Sequence, residues 1–201
     1  MFSPAADRNK QSILEKLQEV LPTQGVALEI ASGTGQHVVW FAAALPDWTW
    51  QPTDAQADSL AAIAQRVAEQ GLKNVRGPQL LDVMASPWWP DGDRFDLIYC
   101  ANMLHIAPWA TCAALMRGSV QHLAPGGLLV TYGPYLEEEV PIAEGNLTFD
   151  RSLRAQDGNW GIRRREDVEH EAARAGLKLS ARHLMPANNL LLVWTLNELV
   201  C

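Results

Sequence analysis

The sequence predicts an α/β protein with a doubly wound, mostly parallel seven-stranded sheet, one antiparallel strand, and helices on both faces. Two observations carry this prediction. Short apolar runs alternate with segments of helical period along nearly the whole chain, the order that builds parallel sheets. The last two runs, 177–183 and 190–196, have only a short link between them at 186–189. A parallel crossover needs roughly a dozen residues or more, so these two strands pair antiparallel.

The elements follow in order. In 7–21, Ile13, Leu14, Leu17, Val20 and Leu21 recur at helical spacing. The run 26–31 is short and wholly apolar apart from Glu29, as a buried strand is. Residues 36–45 are helical and stop before Pro46, and 48–52 form a strand. Residues 55–70 form a helix that stops at Gly71, the residue type that takes a left-handed cap without strain. Leu80 and Leu81 mark a third strand, and FDLIYCA at 95–101 is the clearest strand in the chain. A helix over 108–123 turns through Pro125-Gly126-Gly127 into a strand at 128–132. A helix over 164–175, stopped by Gly176, precedes the final pair of strands. The segment 134–160 has no clear period. It reads as a long insertion, either a cover over a ligand site bearing Tyr135, Asn146, Phe149 and Asp150 or plain surface.

The chain of 201 residues, 48% of them hydrophobic, suits one domain over residues 1–201 with a sizeable core. Its net charge of -7 and pI near 5.2 argue against a nucleic-acid partner, which needs a basic face. The one basic run, Arg163 to Arg165, meets Glu166 and Asp167 at once and reads as a solvated helix start. Cys100, Cys112 and Cys201 have no CxxC spacing and cannot all pair, as in a reducing cytosol. No apolar run approaches the ~20 residues a spanning helix needs. The expectation is a cytoplasmic protein without a membrane segment. No His, Cys or carboxylate cluster has metal-ligand spacing, so no metal is expected.

The stretch EIASGTGQH, Glu29 to His37, places Gly33 and Gly35 at the carboxyl end of the first strand, where doubly wound sheets bind ligands. The dinucleotide fingerprint needs a third glycine at position 38, which is Val38, and no Gly-Lys-Ser/Thr follows as a P-loop requires. The loop approaches a ligand but is not built for phosphates. Asp54 ends the second strand roughly 20 residues past Gly35, a separation at which a carboxylate meets ribose hydroxyls. Asp82 ends the third strand, within reach of a nucleobase amino group. Together they suggest an adenosine without phosphate, although each acid also suits a helix cap.

These residues carry a resemblance. EIASGTG resembles the first motif of class I S-adenosylmethionine-dependent methyltransferases, and Asp54, Asp82, FDLIYCANMLH and LAPGGLLVTYGPY fall where that family's later motifs fall. More narrowly, SPAADRNK, ASGTGQH, WQPTD and WGIRRREDV are similar to a methyltransferase-like family, domain of unknown function family 938, also called methyltransferase-like 26. Ala31 departs from the glycine common there. The resemblance implies a Rossmann-like methyltransferase fold, S-adenosylmethionine as cofactor and S-adenosylhomocysteine as product. It implies Glu29 at the methionine end, Gly33 and Gly35 under ribose and methionine, and Asp54 on the ribose. Asp82 and the Val83 amide would hold the adenine, Asn102 and Met103 would flank the methionine, and Arg8 and Asn9 would close over the cofactor. Arg8 also suits a solvated helix start.

Methyl transfer from a sulfonium asks mainly for alignment and exclusion of water, and for a base only where the acceptor is protonated. The catalytic residue is therefore not legible; His105, Tyr135 and Asp150 are the candidates. His105 equally suits a helix start bonded to backbone. Asn102-Met103-Leu104-His105 lacks the Asn/Asp-Pro-Pro-aromatic pattern of enzymes that methylate exocyclic amines in nucleic acid. With the acidic charge, a small-molecule or protein acceptor is expected, the small molecule preferred. Trp88, Trp89 and Trp109 are candidates to wall its pocket. A non-catalytic cofactor-binding or partner-binding protein is the alternative, and Val38 speaks against a nicotinamide oxidoreductase. The oligomeric state is not legible.

Overall fold

The computed structural model describes residues 2–89 and 92–197; Cys201, considered above, lies outside them. In chain order the elements are α1 (Pro4–Val20), β1 (Gly25–Ile30), α2 (Gln36–Ala44), β2 (Trp48–Asp54) and α3 (Ala57–Glu69). Then come β3 (Gln79–Leu80), β4 (Phe95–Ala101), α4 (Ala110–His122), β5 (Leu123–Gly133) and α5 (Glu144–Gln156). The chain closes with α6 (Arg165–Ala175), β6 (Leu177–Met185) and β7 (Asn189–Leu196).

The seven strands form one sheet in the order β3-β2-β1-β4-β5-β7-β6. β1 runs parallel to β2 and β4, with Ala27 level with Trp50 and Leu97. β7 runs antiparallel to both neighbours, with Val193 opposite Val130 and Ala181. The predicted architecture is thus borne out, including the single reversed strand.

Alternation along the strands feeds two cores. Leu28, Ile30, Ile98, Cys100, Leu129 and Trp194 pack with Leu115 and Met116 of α4 and Val168 and Ala172 of α6. On the other face Ala27, Leu97, Tyr99, Val130 and Val193 meet Ile13 and Leu17 of α1, Phe41 of α2 and Ile63 of α3. Both faces being covered explains why the strands read as apolar runs.

Three expectations are corrected. The segment 134–160 is not irregular; it contains α5. That helix buries only Asn146 and Leu153 while Leu147 and Phe149 stay exposed, and no side chain caps its start. It is held from outside, with the Asp150 Oδ1 accepting from the Ile162 amide at 2.7 Å. Second, β5 begins at Leu123 and absorbs Pro125-Gly126-Gly127, so α4 passes into it without a separate turn. Third, Trp88 and Trp89 are partly buried and pack against the core. Trp88 stacks on His122 at 5.5 Å and Trp89 meets Phe95 edge-on at 5.7 Å.

Candidate functional site

The strand order reverses between β1 and β4, and a crevice is expected beyond the carboxyl ends of the strands at that point. A cleft of about 990 Å³ lies there. Its floor is the end of β1 and the following loop, Glu29 to Thr34. Residues of the first turns of α1 close one side; Asn146 and Phe149 of α5, with the β6–β7 turn at 186–189, close the other.

The glycine loop is shaped by backbone conformation. Ala31, Gly33 and Gly35 take φ of 55°, 54° and 71°. Ala31 occupies the left-handed region despite its Cβ, at a cost of roughly 1–2 kcal/mol. Gly35 serves packing, because a Cβ there would lie 3.2 Å from the Ile63 Cα of α3. Asp54 pins the loop to the end of β2: its Oδ2 accepts from the Gly33 amide at 2.8 Å and its Oδ1 from the Gln56 amide at 2.9 Å.

Glu29 is 2% exposed, and its Oε2 accepts no hydrogen bond among the described residues. Burial, aided by the nearby Asp54 charge and opposed by hydrogen bonding from Ser32, pushes its carboxyl up to about 8. A buried carboxyl with a spare oxygen at the floor of a cleft is a ready partner for an ammonium group. The opposite wall is locked onto α2. Gln36 accepts from the Ser3 amide at 2.5 Å and donates to the Ser3 carbonyl at 3.2 Å, while Asn9 Oδ1 meets His37 Nε2 at 2.7 Å. Burial lowers His37 to about 4, so it is neutral at physiological pH.

Of the residues expected around a cofactor, Arg8, Asn9, Glu29, Gly33 and Asn102 line the cleft. Gly35, Asp54, Asp82, Val83 and Met103 do not. Asp82 is exposed and accepts from the Met84 amide at 2.9 Å. Asn102 takes a left-handed φ of 61° at the head of a 3₁₀ turn, Met103–His105.

The three catalytic candidates gather outside the cleft lining, in a knot behind it. His105 is 1% exposed; burial and the neighbouring Arg163 lower it to about 3. Its Nδ1 accepts from the Arg163 amide at 3.2 Å, and its ring lies 4.8 Å from that of Tyr135. Burial pushes the Tyr135 phenol far up. Burial also pushes Asp150 up, but hydrogen bonds from Arg154 and Ile162 and the charges of Arg154 and Arg163 hold it below its ordinary value. Trp109 faces a second, smaller cavity of about 520 Å³ beside Arg163 and Arg164.

The knot has a testable consequence. A Cβ on Gly133 would fall 2.2 Å from His105 Nε2, and His105 has no room to yield. Gly133→Ala is expected to destabilise the fold by about 1–3 kcal/mol, and adding His105→Ala to recover part of that in thermal melts.

The family model described as "Protein of unknown function (DUF938)" matches residues 1–196. The chain belongs to this family. The DUF938 chain is also 28% identical over 153 residues to a protein from Rhodopseudomonas palustris (strain BisB5) named tRNA (guanine-N(7)-)-methyltransferase, covering 73% of the chain and 57% of that relative. A protein of the same name from Rhizobium johnstonii is 31% identical over 86 residues, 39% of the chain and 35% of that relative.

Among solved structures, an O-methyltransferase family protein from Burkholderia thailandensis superposes with a TM-score of 0.79 at 14% identity, covering 94% of this chain and 56% of its own. An O-methyltransferase from neocarzinostatin biosynthesis, in complex with S-adenosylmethionine and 2-hydroxy-5-methyl naphthoic acid, gives 0.77 at 16% identity, covering 96% and 54%. At such identities the likeness establishes the fold. The DUF938 chain spans between about a third and three-fifths of the length of these proteins.

Sequence reasoning did not find the β6–β7 turn, of which Pro186, Ala187, Asn188 and Asn189 line the cleft, nor Tyr132. No local signal marks them, because only the sheet order brings β7 beside β5. Among the described residues no helix is long and apolar enough to cross a membrane, and no group of His, Cys, Asp or Glu could hold a metal ion.

Proposed function

We propose that this DUF938 chain is an S-adenosylmethionine-dependent methyltransferase acting on a small-molecule acceptor. The observation that carries the reading is Glu29, a buried carboxyl with an unpartnered oxygen at the floor of the switch-point cleft. S-adenosylmethionine supplies a methyl group already activated by a sulfonium leaving group, with S-adenosylhomocysteine as product. The chain's task is then to bind, align and keep water out.

In this reading Glu29 faces the methionine ammonium, Gly33 leaves room for the ribose, and Asn102 and Met103 flank the methionine. Asp54 serves the ribose as well as the loop; Asp82 and the Val83 amide serve the adenine. Arg8 and Asn9 close the α1 side. The segment 134–160 covers the acceptor side through Asn146 and Phe149, and hydrogen exchange in α5 is expected to slow once cofactor and acceptor are bound. His105, Tyr135 and Asp150 then act by holding α5 and the 3₁₀ turn in place. Alignment alone can supply about 7–11 kcal/mol, which suits a cleft whose titratable lining is Arg8, Glu29, His37 and Tyr132.

The small-molecule preference is supported by the net charge of -7 and by the naphthoic acid and cofactor seen together in a structural neighbour. The tRNA methyltransferase names among the relatives point to the other acceptor class. Calorimetric titration tests the cofactor: S-adenosylhomocysteine is expected to bind and NAD not to. Radiolabelled S-adenosylmethionine incubated with protein and cell extract tests the acceptor. Label is expected in the low-mass fraction; label in RNA would overturn the small-molecule assignment, and no transfer at all would favour a non-catalytic binding protein.

A further inference from the structure

Two charged residues, both from the N-terminal elements, line the cleft. Arg8 comes from α1 and Glu29 from β1, and these elements with the glycine loop make up the charged half of the lining. The lining drawn from elements after β4, here the far half, includes Ile106, Pro134, Asn146, Phe149, Asn188 and Asn189, none of which carries a charge. Ile106 and Phe149 are 45% and 44% exposed and form an apolar rim.

Within that half Asn146 is distinctive. It is 9% exposed, and its Nδ2 donates to the Asn188 carbonyl at 3.2 Å across 42 residues of sequence. A carbonyl oxygen only accepts, so this contact fixes which amide atom points where. The Asn146 Oδ1 is left without a hydrogen bond among the described residues, in a side chain that lines the cleft. That oxygen is not among the buried atoms that lack a partner, so it stays open to the cleft as an acceptor for a ligand's O–H or N–H. The Asn188 wall is itself held under backbone strain, since Ala187 and Asn188 both take left-handed φ of 57° and 56°. Asn189 Nδ2 braces them by donating to the Pro186 and Ala187 carbonyls at 2.9 and 3.3 Å.

We propose that the far half recognises an uncharged small molecule with an apolar body and a hydroxyl or amide N–H, and that Asn146 Oδ1 accepts that hydrogen. This rests on the methyltransferase reading, which assigns the charged half to the cofactor. A carboxylate or ammonium placed in the far half would be desolvated against apolar and amide groups with no counter-charge, which disfavours it strongly. A neutral analogue lacking the donor would leave Asn146 Oδ1 unpaired. Asn146 is thus a specificity-determining residue for the acceptor.

The test uses the full chain saturated with S-adenosylhomocysteine and four probes of similar size: benzyl alcohol, benzyl methyl ether, benzoate and benzylammonium. Binding is read by ligand-observed saturation-transfer NMR and competition. Benzyl alcohol is expected to bind, with each of the other three roughly tenfold weaker or worse, about the worth of one hydrogen bond. Asn146→Ala is expected to erase the alcohol-over-ether preference while leaving S-adenosylhomocysteine affinity unchanged. Should that variant not fold, the wild-type ranking decides alone. Benzoate or benzylammonium binding as well as the alcohol would overturn the proposal. So would failure of the alcohol to bind, or an alcohol preference that survives in a folded Asn146→Ala. Wild-type protein that does not bind S-adenosylhomocysteine would instead defeat the methyltransferase reading on which the proposal stands, before any probe is added.

Discussion

Glu29→Gln is expected to weaken S-adenosylhomocysteine binding by roughly 10- to 100-fold while leaving the empty protein at least as stable as wild type. The two effects have opposite signs for one reason. A charge-assisted hydrogen bond from an ammonium is worth about 1.5–3 kcal/mol, and glutamine cannot supply the charge. In the empty protein the same carboxyl must take up a proton near neutral pH to be buried, a cost that glutamine avoids.

The pH dependence carries the same signature. The carboxyl has an ordinary value of 4.5 and is raised to about 8 in the fold. Between these values the folded state keeps a proton that the unfolded chain releases. The associated stability is therefore fully present below the lower value and declines as pH rises, by about 1.4 kcal/mol per unit at most, levelling above the folded value. Binding of an ammonium needs the ionised form. Cofactor affinity should accordingly rise with pH up to about 8 and then level, with release of a proton at neutral pH. Denaturation and calorimetry across that range, in wild type and Glu29→Gln, measure both slopes. A wild-type affinity that ignores pH would count against Glu29 as the ammonium partner.

Asp54→Ala should lose most cofactor affinity, and the structure adds a cost to the fold. The two carboxylate oxygens of Asp54 each accept a backbone amide, Gly33 from the glycine loop and Gln56 at the approach to α3. Losing both unpins a loop whose residues 31, 33 and 35 all hold left-handed conformations. A stability loss of about 2–4 kcal/mol is expected, since each charge-assisted bond is worth about 1.5–3 and such losses are not additive. Asp54→Asn separates the roles: it retains one acceptor but must turn an NH₂ toward one of two amide donors. Chemical denaturation and S-adenosylhomocysteine titration of both variants decide between them. Unchanged affinity in a folded Asp54→Ala would remove Asp54 from the ribose and leave it a loop brace only.

What the sequence determined by itself is what depends on neighbours along the chain. Short apolar runs and 3.6-residue spacing placed the strands and the helices flanking β1 and β2. The short link at 186–189 forced β6 and β7 antiparallel, and Gly71 and Gly176 marked where helices stop. The glycine loop was legible because Gly33 and Gly35 follow a strand directly. Only the tertiary structure decided the rest. α5 buries only Asn146 and Leu153 and is held by contacts at residues 162 and 188, beyond its own residues. His105 reads as a base beside a strand end, yet packing against Tyr135 and Gly133 buries it and drives it neutral. Trp88 and Trp89 sit in loops by sequence but pack against the core, on His122 and Phe95. The cleft wall opposite α1 needs Asn146 and Asn188 together, and only the insertion of β7 beside β5 brings them there. Burial and hydrogen-bond partners across tens of residues are properties of the packed chain, and they set the chemistry of a side chain whose type alone leaves it open.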